Sequence, residues 1–232
     1  MSAGLFDQAL DRPVWSMLHG RQAHLASVTG PVCRIDPAYG PFAAAAPVHE
    51  SEFANVLSAF DDEIWIIAPA ELAPTPGTRV LRTAPLLQMI ADGPVANYTP
   101  DPEIEALTEV DAAEMGALAQ VTAPGPWGPS THLFGQFFGI RREGRIAAMA
   151  GERMRPAPGL AEVSGVCTLP DYRGQRMAAR LIRHVMAGFA ARGDTPFLHS
   201  YAHNAHAIRL YESLGFRTRR AMVVTVLGRA ET

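Results

Sequence analysis

Residues 166–182, VCTLPDYRGQRMAARLI, pass from an apolar run through Pro-Asp-Tyr and Arg-Gly-Gln into a segment of helical periodicity. The run VSGVCT (163–168) reads as a buried strand. From about residue 174 to 191, Met177, Ala178, Leu181, Ile182, Val185, Met186 and Phe189 recur on one helical face. Strand, short loop and helix start, in that order, make an anion seat. The first N–H groups of a helix lack intrahelical partners and carry about half a positive charge, and amides of the preceding turn add a concave nest. The segment therefore predicts a phosphate-binding turn, with an ordinary strand-to-helix connection as the plainer alternative.

Downstream, Gly193 stops the helix and PFLHSYA (196–202) reads as a strand. NAHAIRLYESLG (204–215) reads as a short helix with Asn204 as cap and Gly215 as terminator, and FRTRRAMVVTVL (216–227) as a final strand. Upstream, DAAEMGALAQV (111–121) reads as a helix and TAPGPWGPST (122–131) as a stiff, irregular loop. GQFFGIRREGRIAAMAGERM (135–154) reads as two strands joined at Arg-Glu-Gly. The order α-β-β-β-α-β-α-β predicts an α/β protein with a mixed sheet and helices on both faces.

The first hundred residues carry weaker signals. FDQALDRPVWSMLHGRQAHLA (6–26) reads as a helix with Pro13 near its start or at a kink. EIWIIA (63–68) reads as a strand between Asp61-Asp62 and Pro69. APTPGTRVLRT (73–83) reads as a turn and short strand, and PLLQMIA (85–91) as a short helix. NYTPDPEIEALTEVD (97–111) packs two prolines and five acids into one stretch and marks a boundary, so residues 1–100 and 101–232 are expected to form two domains.

No apolar run approaches the roughly 18 residues a membrane span needs, and MSAGLFDQALDRPVW lacks the basic start and apolar core of a signal peptide. A cytoplasmic protein without membrane contact is expected. Cys33 and Cys167 form neither a disulfide framework nor a zinc spacing. Residues 1–132 hold 5 arginines against 16 acids, whereas 133–220 hold 14 against 6. The basic half suggests a polyanionic ligand. A nucleic acid would satisfy that too, but no aromatic-plus-basic motif supports one, and nucleic acid is not expected as a partner.

VCTLPDYRGQRMA, followed about thirty residues later by NAHAIRLYESLGF, resembles the GNAT superfamily of acyl-CoA-dependent N-acetyltransferases over roughly residues 103–228. The first hundred residues resemble the additional, worn first half of two-domain bacterial members. The resemblance implies a GNAT-type fold with an additional N-terminal α/β domain, acetyl-CoA as co-substrate and no metal. It implies that Arg173, Gly174, Gln175, Arg176, Met177 and Ala178 cradle the pyrophosphate of coenzyme A. Arg176 stands where the family usually has glycine; its side chain could obstruct the phosphates or add a charge-assisted bond to them. The family's strand bulge, fitted here by Gly165, implies that the backbone of Val166, Cys167 and Thr168 receives the pantetheine arm, with the N–H near Val166 facing the thioester carbonyl.

Two residues are candidates for proton chemistry. Tyr211 matches the family tyrosine beside the coenzyme sulfur and is the candidate acid, with packing of its helix as the alternative. Glu162 matches the catalytic glutamate of histone-type members and is the candidate base; burial on a strand is expected to raise its pKa, and a salt bridge to an arginine is the alternative. Asn204 could touch pantetheine, cap its helix, or both. His199, His203 and His206 lack an accompanying cysteine or carboxylate, so no metal site is expected. Trp127 could wall an acceptor pocket or plug an interface. The expected function is transfer of an acetyl group to a primary amine, on a small molecule or a peptide, by direct attack in a ternary complex. The alternative is a non-catalytic acyl-CoA-binding regulatory module, and a homodimer is left open.

Overall fold

The computed structural model describes residues 3–59, 63–91, 93 and 98–230. Asp61, Asp62 and Asn97, read above as flanking breaks, lie outside them. The chain opens with helices α1 (Ala3–Asp11) and α2 (Pro13–Leu18). The break between them follows from proline, whose fixed φ suits the first position of a helix but whose missing N–H cannot continue one. A small antiparallel sheet follows, built from β1 (Ala26–Thr29), β2 (Val32–Ile35) and β3 (Ala43–Ala45), and then α3 (Phe53–Ala59).

The remaining strands form one sheet. In chain order they are β4 (Ile64–Ala68), β5 (Thr78–Ile90), β6 (Ile104–Leu107), β7 (Phe137–Arg142), β8 (Arg145–Glu152), β9 (Leu160–Thr168), β10 (Thr195–Tyr201) and β11 (Arg217–Arg229). Between them run α4 (Ala112–Thr122), α5 (Met177–Ala191) and α6 (Ala205–Ser213). The spatial order is β4-β11-β5-β10-β9-β8-β7-β6, with β9 and β10 parallel and the other neighbours antiparallel. This is the expected mixed α/β architecture.

Two expectations are corrected. PLLQMIA is not a helix: it is the second half of the 13-residue strand β5. A short apolar run suits either state, and here β10 and β11 pair with it from both sides over Leu86–Ile90. β6 was also absent from the predicted order; it pairs with β7 from Leu107 to Ile104 at the sheet edge. The boundary expected near residue 100 falls between β5 and β6. β5 itself lies between β10 and β11, so strands from before and after that boundary share one ladder.

The other elements form where their residues dictate. Glu143 and Gly144 both have positive φ (51° and 77°) and close the β7–β8 hairpin in two residues, with Arg142 opposite Arg145. α5 buries Met177, Leu181, Ile182, Val185, Met186 and Phe189 against Ala147, Ala148, Ala161, Val163 and Leu198 on one face of the sheet. α4 covers the other face through Met115, Leu118 and Ala119, which meet Phe137, Met149 and Cys167. α1 and α2 lay Leu10, Val14, Met17 and Leu18 over Phe197, Met222, Val224 and Val226. Each fully buried side chain of this size is worth about 1.5–3 kcal/mol, so this packing, on the face opposite α5, fixes β10 and β11 relative to the N-terminal helices.

Candidate active site

The parallel ladder of β9 and β10 is short. It pairs Thr195–Phe197 with Leu160–Glu162 and then stops, although both strands continue to Thr168 and Tyr201. The cause lies on the other edge of β9. Met149 faces Cys167 but Gly151 faces Ser164, so Gly165 and Val166 together oppose the single residue Ala150. Gly165 takes φ +62° at this bulge, a left-handed conformation that costs an L-residue about 1–2 kcal/mol. A side chain there would also strike Phe137: an added Cβ would lie 2.6 Å from its Cε1. Glycine is thus required twice over, and the extra residue bends β9 away from β10.

The bend leaves an unpaired strip of backbone. Leu169 N–H donates to Ala147 O across β8 at 2.8 Å. By strand alternation, the amide and carbonyl of Thr168 face the gap instead, whereas those of Cys167 face β8. The Cys167 thiol is buried, and desolvation pushes it up to about 12 in spite of hydrogen bonds to Thr122 and the Met149 backbone.

A cavity of about 550 Å³ opens on this gap, lined at one end by Val166, Cys167, Thr168, Asn204 and Tyr211. The Asn204 side chain caps α6, accepting from Ala207 N–H at 3.2 Å, while also lining the cavity. Tyr211 packs edge-to-face with Phe216, ring centroids 6.0 Å apart, and its hydroxyl has no hydrogen-bond partner among the described residues. Burial pushes the phenol up to about 12, so it is a neutral donor at pH 7.

A second cavity, about 350 Å³, shares Thr168, Arg173, Ala178, His206 and Leu210 with the first and surrounds the start of α5. Arg180 N–H, bonded to Arg176 O, is the first amide of the helix ladder, which leaves the N–H groups of Met177, Ala178 and Ala179 without intrahelical partners. Gly174 (φ +79°) and Arg176 (φ +60°) both take left-handed backbone in the preceding turn. Arg176 is exposed and lines this cavity with Arg173 and Arg209. Gln175 is exposed in the same turn. Most residues expected to form the seat therefore lie around one cavity, together with Arg209, which no motif in the sequence singled out.

Glu162 lies elsewhere and in another state. It is fully buried, and both its oxygens are claimed. Arg153 donates to it through Nε at 2.9 Å and Nη2 at 3.0 Å, and His199 Nδ1 lies 2.8 Å from Oε1. Desolvation alone would raise its pKa, as expected from the sequence, but Arg153 and His199 outweigh it and hold the carboxyl at about 2. The expectation of a raised pKa is corrected: such a group is a poor proton acceptor. His199 is locked in turn. Arg219 Nη1 donates to Gln88 Oε1 at 2.8 Å, which turns the Gln88 amide N toward Leu10 O (2.7 Å) and His199 Nε2 (3.0 Å). Nε2 therefore accepts, and the ring proton sits on Nδ1, facing Glu162.

The far end of the first cavity is lined by Phe42, Trp65, Ile67, Leu86, Tyr201 and Val224, with Arg153 and His199. Four of these eight residues come from the first hundred. Thr122 to Pro126 supply the loop side, but Trp127 does not line this cavity; it packs edge-to-face on Phe137, 5.4 Å between centroids, behind the Gly165 bulge. Among the described residues no group of three or more His, Cys, Asp or Glu is placed to hold a metal, and no helix is long and apolar enough to cross a membrane.

Comparisons with known proteins agree with this fold. Residues 137–224 match the family model described as FR47-like protein. A crystal structure of a GNAT-family protein from Novosphingobium aromaticivorans is 63% identical, covering 96% of this chain and 99% of that one, with a TM-score of 0.93. A GCN5-related N-acetyltransferase from Kribbella flavida (19% identity, 94% and 95% coverage, TM-score 0.60) shares the fold. So does a GCN5-related N-acetyltransferase-like protein from Streptococcus suis (15%, 94% and 92%, TM-score 0.58). No curated protein matches the sequence.

Proposed function

The chain belongs to the GNAT family of acyl-CoA-dependent acetyltransferases, and we propose that it moves an acetyl group from acetyl-CoA to a primary amine by direct attack in a ternary complex. The observation that carries this reading is the notch itself. The β9–β10 ladder ends at Phe197 and Glu162, a bulge at Gly165 bends β9 away, and the resulting cavity shares five lining residues with the one around the α5 N-terminus. A linear ligand with a diphosphate at one end and an acyl group at the other fits such a channel. Its phosphates would meet the amides of Met177 to Ala179 with Arg173, Arg176 and Arg209, and its amide-bearing arm would pair with Thr168 and Val166 like a short added strand.

In the transfer, a C–N bond forms as the C–S bond of the thioester breaks. The amine nitrogen releases its proton to solvent. The departing thiolate takes one from the Tyr211 hydroxyl, which solvent then reprotonates. Burial disfavours a phenolate, but it disfavours a thiolate beside it for the same reason, so the transfer need not be uphill. The raised pKa of Cys167 supports direct attack over an acyl-cysteine intermediate, because the thiolate is the nucleophile. Glu162 is assigned a positioning role toward Arg153 rather than that of base.

The test is calorimetric titration with acetyl-CoA, joined to mass-spectrometric detection of acetylated amines. Binding with transfer is expected, and Tyr211→Phe should bind acetyl-CoA normally while losing about 10²-fold or more in kcat. Unchanged turnover in that variant removes Tyr211 from the acid role, and absence of binding at millimolar acetyl-CoA removes the whole reading.

A further inference from the structure

No aspartate or glutamate is among the described residues lining the 550 Å³ cavity; its cationic side chains are Arg153 and Arg173, beside His199 and His206. Arg173 and His206 also line the smaller cavity at the α5 start. Arg153 lies at the opposite end: it neighbours Glu162, six residues before Thr168 on β9, about 20 Å away in extended chain.

Arg153 is held in place from three sides. Its backbone N–H donates to Glu162 O at 3.1 Å, and its carbonyl accepts from Gln22 Nε2 at 2.8 Å. Its guanidinium lies 4.9 Å from the ring centre of Phe42, and Glu162 takes the edge formed by Nε and Nη2. A guanidinium has five N–H donors, and a side-on pair of this kind uses two. The end-on fork between Nη1 and Nη2 has no partner among the described residues. The side chain is 11% exposed, and it lines the cavity. A rigid fork of this kind matches the two oxygens of a carboxylate.

From this we infer the acceptor's chemical class: a small amine that carries a carboxylate on an apolar body, such as an apolar amino acid, with the carboxylate held end-on by Arg153. The inference deepens the acetyl-transfer reading of the same cavity and rests on it. Phe42, Trp65, Ile67, Leu86 and Val224 offer an apolar surface to the acceptor's body. Anchoring by the carboxylate leaves the amine as the free end. A polyamine or aminoglycoside is disfavoured, because its further cations would find a guanidinium and no carboxylate. Glu162 is then a positioning residue: it aims the fork and fills the edge that would otherwise compete for the ligand.

The experiment uses the full chain with acetyl-CoA, comparing phenylalanine with phenethylamine, leucine with 3-methylbutylamine, and both pairs with spermidine, by thiol release and mass spectrometry. A hydrogen-bonded charge is worth roughly 10- to 100-fold in affinity, so each amino acid should exceed its decarboxylated partner by that factor in kcat/KM, mainly through KM. Arg153→Lys and Arg153→Gln should shrink that ratio toward one. As a measurement independent of turnover and of the variants' folding, N-acetylphenylalanine should bind the CoA-saturated wild-type protein more tightly than N-acetylphenethylamine in calorimetry. Equal or better use of the decarboxylated amines or spermidine overturns the inference, as does a ratio unmoved by both substitutions. If acetyl-CoA binds and amines are acetylated without carboxylate preference, only this inference falls; if acetyl-CoA does not bind, the transfer reading falls and takes it along.

Discussion

Gly165→Ala tests whether the bulge makes the notch. The substitution adds one methyl group, yet the structure gives it two separate penalties. An L-residue at φ +62° costs about 1–2 kcal/mol. The new Cβ would also lie 2.6 Å from Phe137 Cε1 and 3.2 Å from Trp127 Cζ3. Those rings pack on each other, and Phe137 is buried, so neither can swing away freely; overpacking of this sort typically costs about 1–3 kcal/mol. The expected total is therefore about 2–5 kcal/mol, measured as a lower urea midpoint at unchanged m-value. Gly174→Ala is the control. It also has a left-handed φ, +79°, but nothing lies within 4 Å of its added Cβ, so it should lose only the conformational part, about 1–2 kcal/mol. β9 can relieve the strain by straightening toward β10, which closes the gap beside Thr168, so acetyl-CoA affinity should fall in Gly165→Ala by more than stability loss explains when measured well below the melting transition. If Gly165→Ala is no less stable than Gly174→Ala and binds acetyl-CoA as wild type does, the bulge is not what holds the notch open.

Two further substitutions separate roles that the structure assigns. Arg176→Gly should relax a left-handed backbone, for a net gain under about 1 kcal/mol once the greater freedom of unfolded glycine is offset. It should also weaken coenzyme A binding severalfold and flatten its salt dependence; tighter binding would mean that the arginine obstructs the phosphates. Glu162→Gln should cost about 3–5 kcal/mol at pH 7, the usual effect of stripping one partner from a buried ion pair. The pH dependence has a definite sign. A carboxyl held at about 2 in the folded protein, below its ordinary 4.5, adds stability that is fully present above pH 4.5 and is lost as pH falls toward 2. The stability gap between wild type and Glu162→Gln, followed by urea melts, should therefore narrow across that window, and a gap that stays constant contradicts the assigned pairing.

The C-terminal elements were legible because their signals are local. The α5 stripe, the Glu143-Gly144 turn and the Asn204 cap each lie within a few residues of what they determine. β5 was not. PLLQMIA becomes a strand because β10 and β11, more than a hundred residues later, supply ladders on both its edges. Its own residues do not express that pairing. The insertion of β5 between them also explains how residues from the first half reach the far end of the cavity: Leu86 lies on β5, and Trp65 and Ile67 lie on β4, the next strand beyond β11.

Glu162 shows the same limit in electrostatic form. Its apolar neighbours in sequence announce burial, and burial alone points to a raised pKa. The sign is reversed by Arg153 and His199, which arrive from the segment after β8 and from β10. Neither is marked by any motif, and His199 is oriented by Gln88 and Arg219 from two further strands. A motif can fix where a carboxylate sits on its strand, but its protonation state belongs to whichever groups the fold brings against it. That is why the proposed phosphate end, built from consecutive amides on one stretch of chain, has a local signal in residues 166–182, whereas the far end of the larger cavity, lined by side chains on six separate segments, has none.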